Sequence, residues 1–245
     1  MTDSARPDTT RPSERRAAAR TSVVWDAVRP HVVEGADVLD IGGGTGGFAV
    51  RVAELGARVT VVDPSPDALA SLARRARELT VEVTAQQGDL SSLLEVTGPA
   101  SADLVLCHGV LEVVDDPAAA LATLRRVLRP GGVLSLVVAQ RHAAVVARAM
   151  AGHFTQALAL LDAAPGERDG RSGHRFTAAE ATTLLSDAGF ALESVHGVRV
   201  FADLVPGSLL DLEPGSTAAL VELERAVSQR SEYLPLAAQL HLLAR

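Results

Sequence analysis

Short, largely continuous apolar runs along this chain alternate with segments whose apolar positions recur at the 3.6-residue period of a helix. Ala36–Ile41 (ADVLDI) is a short apolar run that ends in the glycine cluster Gly42–Gly47, which predicts a strand entering a tight turn. Gly46–Leu55 follows with Phe48, Val52 and Leu55 on one helical face, and Gly56 closes it. Arg58–Val62 predicts a second strand, Pro66–Leu79 a second helix, Val81–Ala85 a third strand and Asp103–His108 a fourth. Pro117–Leu128 reads as a helix started by Asp115-Asp116-Pro117 and stopped by Arg129-Pro130-Gly131-Gly132, and Val133–Ala139 as a continuous apolar strand. Apolar strands alternating with amphipathic helices require a sheet buried on both faces. The fold class is therefore α/β, doubly wound.

The flanks complete the outline. Residues 1–12 are rich in Asp, Thr, Arg and Pro and predict a disordered tail. Ser13–Val28 predicts an arginine–alanine helix with Ser13 as N-cap and Pro30 as stop. After Gln140 the pattern loosens: Ala143–Leu161 is helical, Ala164–Gly173 a polar loop, and Ala178–Ala188 a helix ending at Gly189. Ala191–Phe201 and Leu236–Leu243 are strands around a helix at Thr217–Gln229. The expectation is a Rossmann-like, seven-stranded, mostly parallel sheet with helices on both faces and an N-terminal helix. Residues 13–245 form one domain in this reading, with 141–177 as an insertion or lid.

Composition changes the picture in three places. The chain has 245 residues and no lysine, so all 23 of its basic side chains counted as Lys plus Arg are arginines. That excludes a lysine base, a Schiff base and a P-loop lysine. A net charge of −7 argues against a general nucleic-acid coat and leaves a local basic cleft open. Cys107 is the single cysteine, which excludes an internal disulfide and a thiolate metal cluster and reads as a small buried hydrophobe. No run approaches the roughly 18 apolar residues of a membrane span, and Met1–Arg16 lacks the apolar core of a secretory leader. A cytoplasmic protein with no membrane partner is expected.

The chemistry begins at Asp40-Ile-Gly-Gly-Gly-Thr-Gly-Gly47. Glycines between a strand and a helix let the backbone approach a ligand whose charged part meets the helix N–H groups, and Asp63, ending the next strand, can accept both hydroxyls of a ribose. The same glycines could merely pack helix against strand. Gly42-x-Gly44-x-x-Gly47 fits a dinucleotide fingerprint and Gly42-x-Gly44-x-Gly46 the variant used for S-adenosylmethionine. Gln87-Gly88-Asp89 after the third strand, His108-Gly-Val-Leu-Glu112 after the fourth and Leu128-Arg-Pro-Gly-Gly132 before the fifth favour the methyl donor. The absence of any Tyr-x-x-x-Lys pair removes one large nicotinamide class.

The motifs VLDIGGGTG, VTVVDPSP, QQGD and VLRPGG resemble class I S-adenosylmethionine-dependent methyltransferases over roughly Arg20 to Arg245. Arg20-x-x-x-x-Trp25, CHGVLEVVDDP, MAGHF, HGVRVFAD and ELERAVSQRSEYLP…QLHLLAR resemble more narrowly the tRNA 5-carboxymethoxyuridine methyltransferases, which esterify a wobble-uridine carboxylate. The resemblance implies S-adenosylmethionine as cofactor and a set of contacts. Arg20 would pair with the donor's carboxylate, and Gly42, Gly43 and Gly44 would pass close to its methionine moiety. Asp63 would hold the ribose, Gln87, Gly88 and Asp89 would flank the adenine, and His108 would lie near the sulfonium. Two departures fall on the acceptor side: the family's lysine-rich loop is replaced by Ala163–Arg175, and its late arginine by Ala238 or Gln239.

Other candidates carry less. His108 fits a donor contact, a base or plain packing, so no catalytic side chain is assigned. Glu112 reads as a turn cap. Asp115 and Asp116 do not make a coordination shell, so no metal is expected. Arg141, Arg168, Arg171, Arg175 and Arg199, with His142, His153 and His174, could line an anion-binding cleft. Arg199 leads, because it interrupts the apolar strand Val198–Phe201; Arg175 is second, and Tyr233 offers one of few stacking rings. A carboxylate acceptor is already ionised at neutral pH and needs no base. Three readings stay open: a tRNA carboxyl methyltransferase, a small-molecule O- or N-methyltransferase, and a donor-binding regulator.

Overall fold

A computed structural model describes residues 21–164, 166–170, 173–210 and 215–245. The predicted tail 1–12, the first part of the N-terminal helix, Arg20 and Arg171 lie outside the described residues. The strands are β1 (Asp37–Ile41), β2 (Arg58–Asp63), β3 (Val83–Gln87), β4 (Ala102–His108), β5 (Leu128–Ala139), β6 (Leu192–Val198) and β7 (Gln239–Ala244). The helices are α1 (residues 21–28), α2 (Ala49–Ala53), α3 (Pro66–Glu78), α4 (Leu93–Thr97), α5 (Pro117–Val127), α6 (Arg141–Met150), α7 (Phe154–Leu161), α8 (Ala178–Asp187), α9 (Gly207–Leu210) and α10 (Ser216–Val227).

All seven strands join one sheet in the order β3-β2-β1-β4-β5-β7-β6. The first five pair in parallel, whereas β7 runs antiparallel to both β5 and β6. Strands alternate side chains between two apolar layers. Leu39, Ile41, Val105, Leu134 and Leu136 pack with Leu121 of α5 and Leu185 of α8. Val38, Val61, Leu104, Leu106 and Val137 pack with Val24 of α1, Val52 of α2 and Leu72 of α3. Helix starts follow local capping: Ser65 accepts from Ala68 N–H, Asp116 from Ala119 N–H, and Thr177 with Glu180 closes a reciprocal capping box.

Several sequence expectations shift. The third strand sits two residues later than expected, and the last begins at Gln239 because Leu234–Leu236 forms a 3-10 turn. The predicted helix Ala143–Leu161 is broken into α6 and α7 at Gly152, whose φ is +78°. Helix α2 spans only Ala49–Ala53, because three glycines of the preceding turn take positive φ. Residues 141–176 form a closed excursion from the tip of β5, since Arg141 N–H donates to Phe176 O and Phe176 N–H returns to Ala139 O.

Candidate functional site

The glycine turn after β1 is built by three residues of positive φ: Gly42 at +64°, Gly44 at +54° and Gly46 at +77°. Gly43 and Gly47 are not among them, so the backbone follows the Gly42-x-Gly44-x-Gly46 spacing. A Cβ on Gly42 would lie 2.7 Å from Val110 Cγ2, and one on Gly43 2.6 Å from Asp40 Oδ2. Asp63, at the end of β2, holds the turn in place. Its Oδ2 accepts from Gly44 N–H at 2.9 Å and its Oδ1 from Ser65 N–H at 2.8 Å. Beside it opens a cavity of 640 Å³ at the carboxyl ends of the strands, lined by Gly42, Asp63, Gly88, Asp89 and Val110. Open α/β sheets bind ligands in that crevice. A larger hollow of 1030 Å³ lies at the opposite edge, around Asp37, Arg58, Val81 and Ser101, where the strands begin and no predicted site residue falls.

Gly88 and Asp89 reach the cavity, but Gln87 does not. Its amide donates at 3.3 Å to the carbonyl of Pro64, a lining residue, while Gln87 itself lies outside the lining. Asp89 Oδ1 accepts from the Ser91 hydroxyl at 2.6 Å and from the Ser91 and Ser92 N–H groups, which holds its carboxyl below the usual range. Sequence reasoning gave no role to Asp40, which is buried beneath the turn. Burial, with the charge of Asp63 nearby, pushes its carboxyl up to about 7.

His108 ends β4 half-buried, its Nε2 2.8 Å from Ser135 Oγ. Phe48 meets its ring edge-on at 5.0 Å, Trp25 packs on Phe48, and the Arg51 guanidinium lies 3.8 Å over Trp25. Burial lowers the His108 imidazole to about 4, so it is neutral at pH 7. The motif around Arg129, taken from sequence as a ligand signal, lies elsewhere. Arg129 bridges Asp37 and Asp103 at 2.8 and 2.7 Å across the starts of β1 and β4, at the far edge of the sheet. It serves the fold.

The arginines expected to form one cleft separate in space. Arg175 and Arg199 line a second cavity of 450 Å³ beyond the tip of β5, together with His153, Gln239 and Arg148, which sequence reasoning missed. Asp169 bridges Arg148 and Arg175, lying 3.0 Å from Arg175 Nε. Arg199 does not interrupt a strand: β6 ends at Val198, and Arg199 turns the corner with φ +59°, its Nε 3.3 Å from Asp203. Glu224 of α10 fixes the next three residues, accepting from Val200, Phe201 and Ala202 N–H. Arg141 is buried against Glu180, Arg168 pairs with Asp115, and His174 is buried against Val114 O, so these three are supports. Tyr233 packs edge-on against Phe201 outside the cavity lining. Glu112 braces rather than caps, its Oε1 accepting from Ala139 N–H at 2.6 Å.

A family model described as a methyltransferase domain matches residues 39–136. The chain is also 34% identical over 215 residues to the tRNA 5-carboxymethoxyuridine methyltransferase of Escherichia coli K12, covering 85% of this chain and 79% of that protein. The chain belongs to the S-adenosylmethionine-dependent methyltransferases. A second relative of this methyltransferase, the ubiquinone biosynthesis O-methyltransferase of Xanthomonas euvesicatoria pv. vesicatoria, is 33% identical over 164 residues, 67% of this chain and 66% of that one. The fold matches an S-adenosylmethionine-dependent methyltransferase from Mesorhizobium loti with a TM-score of 0.59 at 21% identity, covering 91% of this chain and 97% of that one.

S-adenosylmethionine is thus the methyl donor, and the turn at β1 fits it. Gly42 lines the cavity, where a Cβ would stand against Val110 of the same lining, whereas Gly44 lies outside the lining and Gly46 packs against Leu72 of the core. The 640 Å³ space lies within the range of small-molecule sites, and the Asp63 carboxylate faces it from the end of β2.

Proposed function

We propose that this methyltransferase esterifies the carboxylate of 5-carboxymethoxyuridine at the wobble position of tRNA. The observation that carries the reading is the 450 Å³ cavity, where Arg148, Arg175 and Arg199 meet and the Asp169 carboxylate is already seated between two of them. Guanidinium forks suit carboxylate and phosphate. The similarity to the Escherichia coli enzyme agrees with that chemistry.

In this reading Arg20, Gly42, Gly43, Gly44, Asp63, Gly88, Asp89 and His108 hold the donor, with Gln87 reaching it only by leaving Pro64. Each Asp63 oxygen accepts one backbone N–H and keeps lone-pair capacity for a ribose hydroxyl. When bound, S-adenosylmethionine would supply an electrophilic methyl carbon, which an in-line acceptor lone pair takes as the carbon–sulfur bond breaks and the neutral thioether leaves. Arg175 and Arg199 orient the acceptor, and no residue need remove a proton from a group that is ionised at neutral pH. Residues 13–245 act as one domain, with 141–177 as the lid on the acceptor side, and the protein works in the cytoplasm.

A second reading, a small-molecule O-methyltransferase, draws on the net charge of −7, the lysine-free lid and the Xanthomonas relative. The deciding experiment transfers labelled methyl groups into bulk tRNA from a strain lacking the gene. Base-labile label on wobble uridine supports the ester. Base-stable label refutes the carboxylate acceptor, and no label with donor bound moves the acceptor to a small molecule.

A further inference from the structure

A line of polar side chains crosses the otherwise apolar face of the sheet that α1 covers. His108 Nε2 is 2.8 Å from Ser135 Oγ, and the same oxygen is 2.8 Å from His241 Nε2. His241 stacks on His196 with centroids 5.3 Å apart, and His196 Nε2 is 2.8 Å from Gln229 Nε2. Strand register produces the line: Val137 lies between His108 and His241, and His241 faces His196. Ser135 and His241 are fully buried, at 0% exposure.

Counting hydrogens leaves two directions for these bonds, and the surroundings of His241 choose between them. A serine hydroxyl held between two imidazole nitrogens donates to one and accepts from the other. The two neutral histidines therefore carry opposite tautomers. His241 Nδ1 is buried with no hydrogen-bond partner. An orphaned buried N–H is the rarer defect, so the bare lone pair belongs on that atom. His241 then carries its hydrogen on Nε2 and donates to Ser135. Ser135 donates to His108 Nε2, and the His108 hydrogen is left on Nδ1.

We propose that Ser135 and His241 are positioning residues that hold His108 as the neutral Nδ1–H tautomer, a hydrogen-bond donor at the tip of β4 with no lone pair free to act as a base. The inference rests on the proposed function and deepens it. His108 held this way takes no proton from an acceptor, which suits acceptors already anionic at neutral pH, carboxylates rather than phenols or alcohols.

The test is long-range 1H–15N correlation on the full chain labelled in histidine, with His108→Gln to assign the signal. The expected spectrum shows His108 protonated at Nδ1 and His241 at Nε2 at neutral pH. Ser135→Ala and His241→Leu should each mix the His108 tautomers. His241→Gln, whose amide keeps a donor for Ser135, should restore the wild-type pattern. A wild-type His108 protonated at Nε2 overturns the proposal even where a variant fails to fold, as does a His108 signal unchanged in both Ser135→Ala and His241→Leu. The spectrum needs no acceptor. Nδ1–H without labelled tRNA would sink the wobble-uridine reading and support this one; labelled tRNA with Nε2–H would do the reverse.

Discussion

Glu224→Ala probes how the acceptor side is held. Glu224 has no solvent exposure, and its two oxygens take all three N–H groups of Val200, Phe201 and Ala202 at 2.9, 2.8 and 2.8 Å. Those residues follow Arg199, whose φ of +59° is costly without glycine. The alanine variant orphans three backbone donors, each worth about 1–3 kcal/mol when left without a partner. Water entering the vacated space recovers part of that, so the expected loss is about 3–5 kcal/mol. For a chain of this size that lowers Tm by roughly 6–20 °C. Glu224→Gln keeps the shape and one acceptor oxygen but turns an amide N–H toward a backbone N–H, with an expected loss of about 2–3 kcal/mol. Urea and thermal unfolding measure both. Because the loop carries Arg199, the acceptor KM should rise in the glutamine variant while donor Kd stays within about threefold, a shift under about 0.7 kcal/mol. A loss below about 1 kcal/mol in Glu224→Ala would refute the account, since three buried charge-assisted bonds cannot be that cheap to break.

Gly46→Ala should cost about 2–4 kcal/mol, because its Cβ would stand 2.2 Å from Leu72 Cδ1 at φ +77°. Gly47→Ala, whose nearest neighbour would be Arg75 Nη1 at 3.8 Å, should cost under about 1 kcal/mol, and equal urea midpoints would contradict the turn geometry. Asp63→Ala should weaken donor binding at least about tenfold by calorimetry, or about 1.4 kcal/mol, while Arg199→Ala raises acceptor KM and leaves donor Kd alone; the opposite pattern would exchange their sites. Stability should rise with pH from about 4 to 6.5, since burial holds His108 at about 4 and depresses His241 and His196 below the ordinary 6.5. The unfolded chain binds those protons first, so acidification through this window removes stability, about 3 kcal/mol from His108 alone. Asp40, pushed up to about 7 from 3.8, opposes that slope with a single proton, and Asp40→Asn should steepen the rise measured by urea midpoint.

The proposed donor half of the site can be traced in the sequence because each of its parts ends a strand. Gly42, Asp63, Gly88 and His108 follow β1 to β4 in chain order, and a parallel sheet delivers all four strand ends to one edge. The acceptor half has no such order. Arg148 comes from α6, Arg175 from the end of the excursion and Arg199 from the corner after β6, and only folding decides which arginine meets which acid. Arg141 and Arg168 look equal to them in sequence; Glu180 and Asp115 take them out of the cavity. Arg129 misled for the opposite reason, being adjacent to a glycine motif yet at the start of β5 rather than its end.

The polar line from His108 had a signal that could have been used. Ser135, His196 and His241 each sit within a predicted strand, where a lone polar residue on a buried face needs a partner. What the sequence lacks is register. A one-residue slip would send every side chain of β7 to the other face, moving His241 away from Ser135 and His196 together. The antiparallel return of β7 between β5 and β6 sets that register, and it is the one part of the topology that alternation of strand and helix does not imply. The buried Nδ1 atoms of His196 and His241, left without partners, would be removed by leucine in either place. Nitrogens buried without partners add nothing to the core, and the hold proposed for the ring at the tip of β4 gives them a role there.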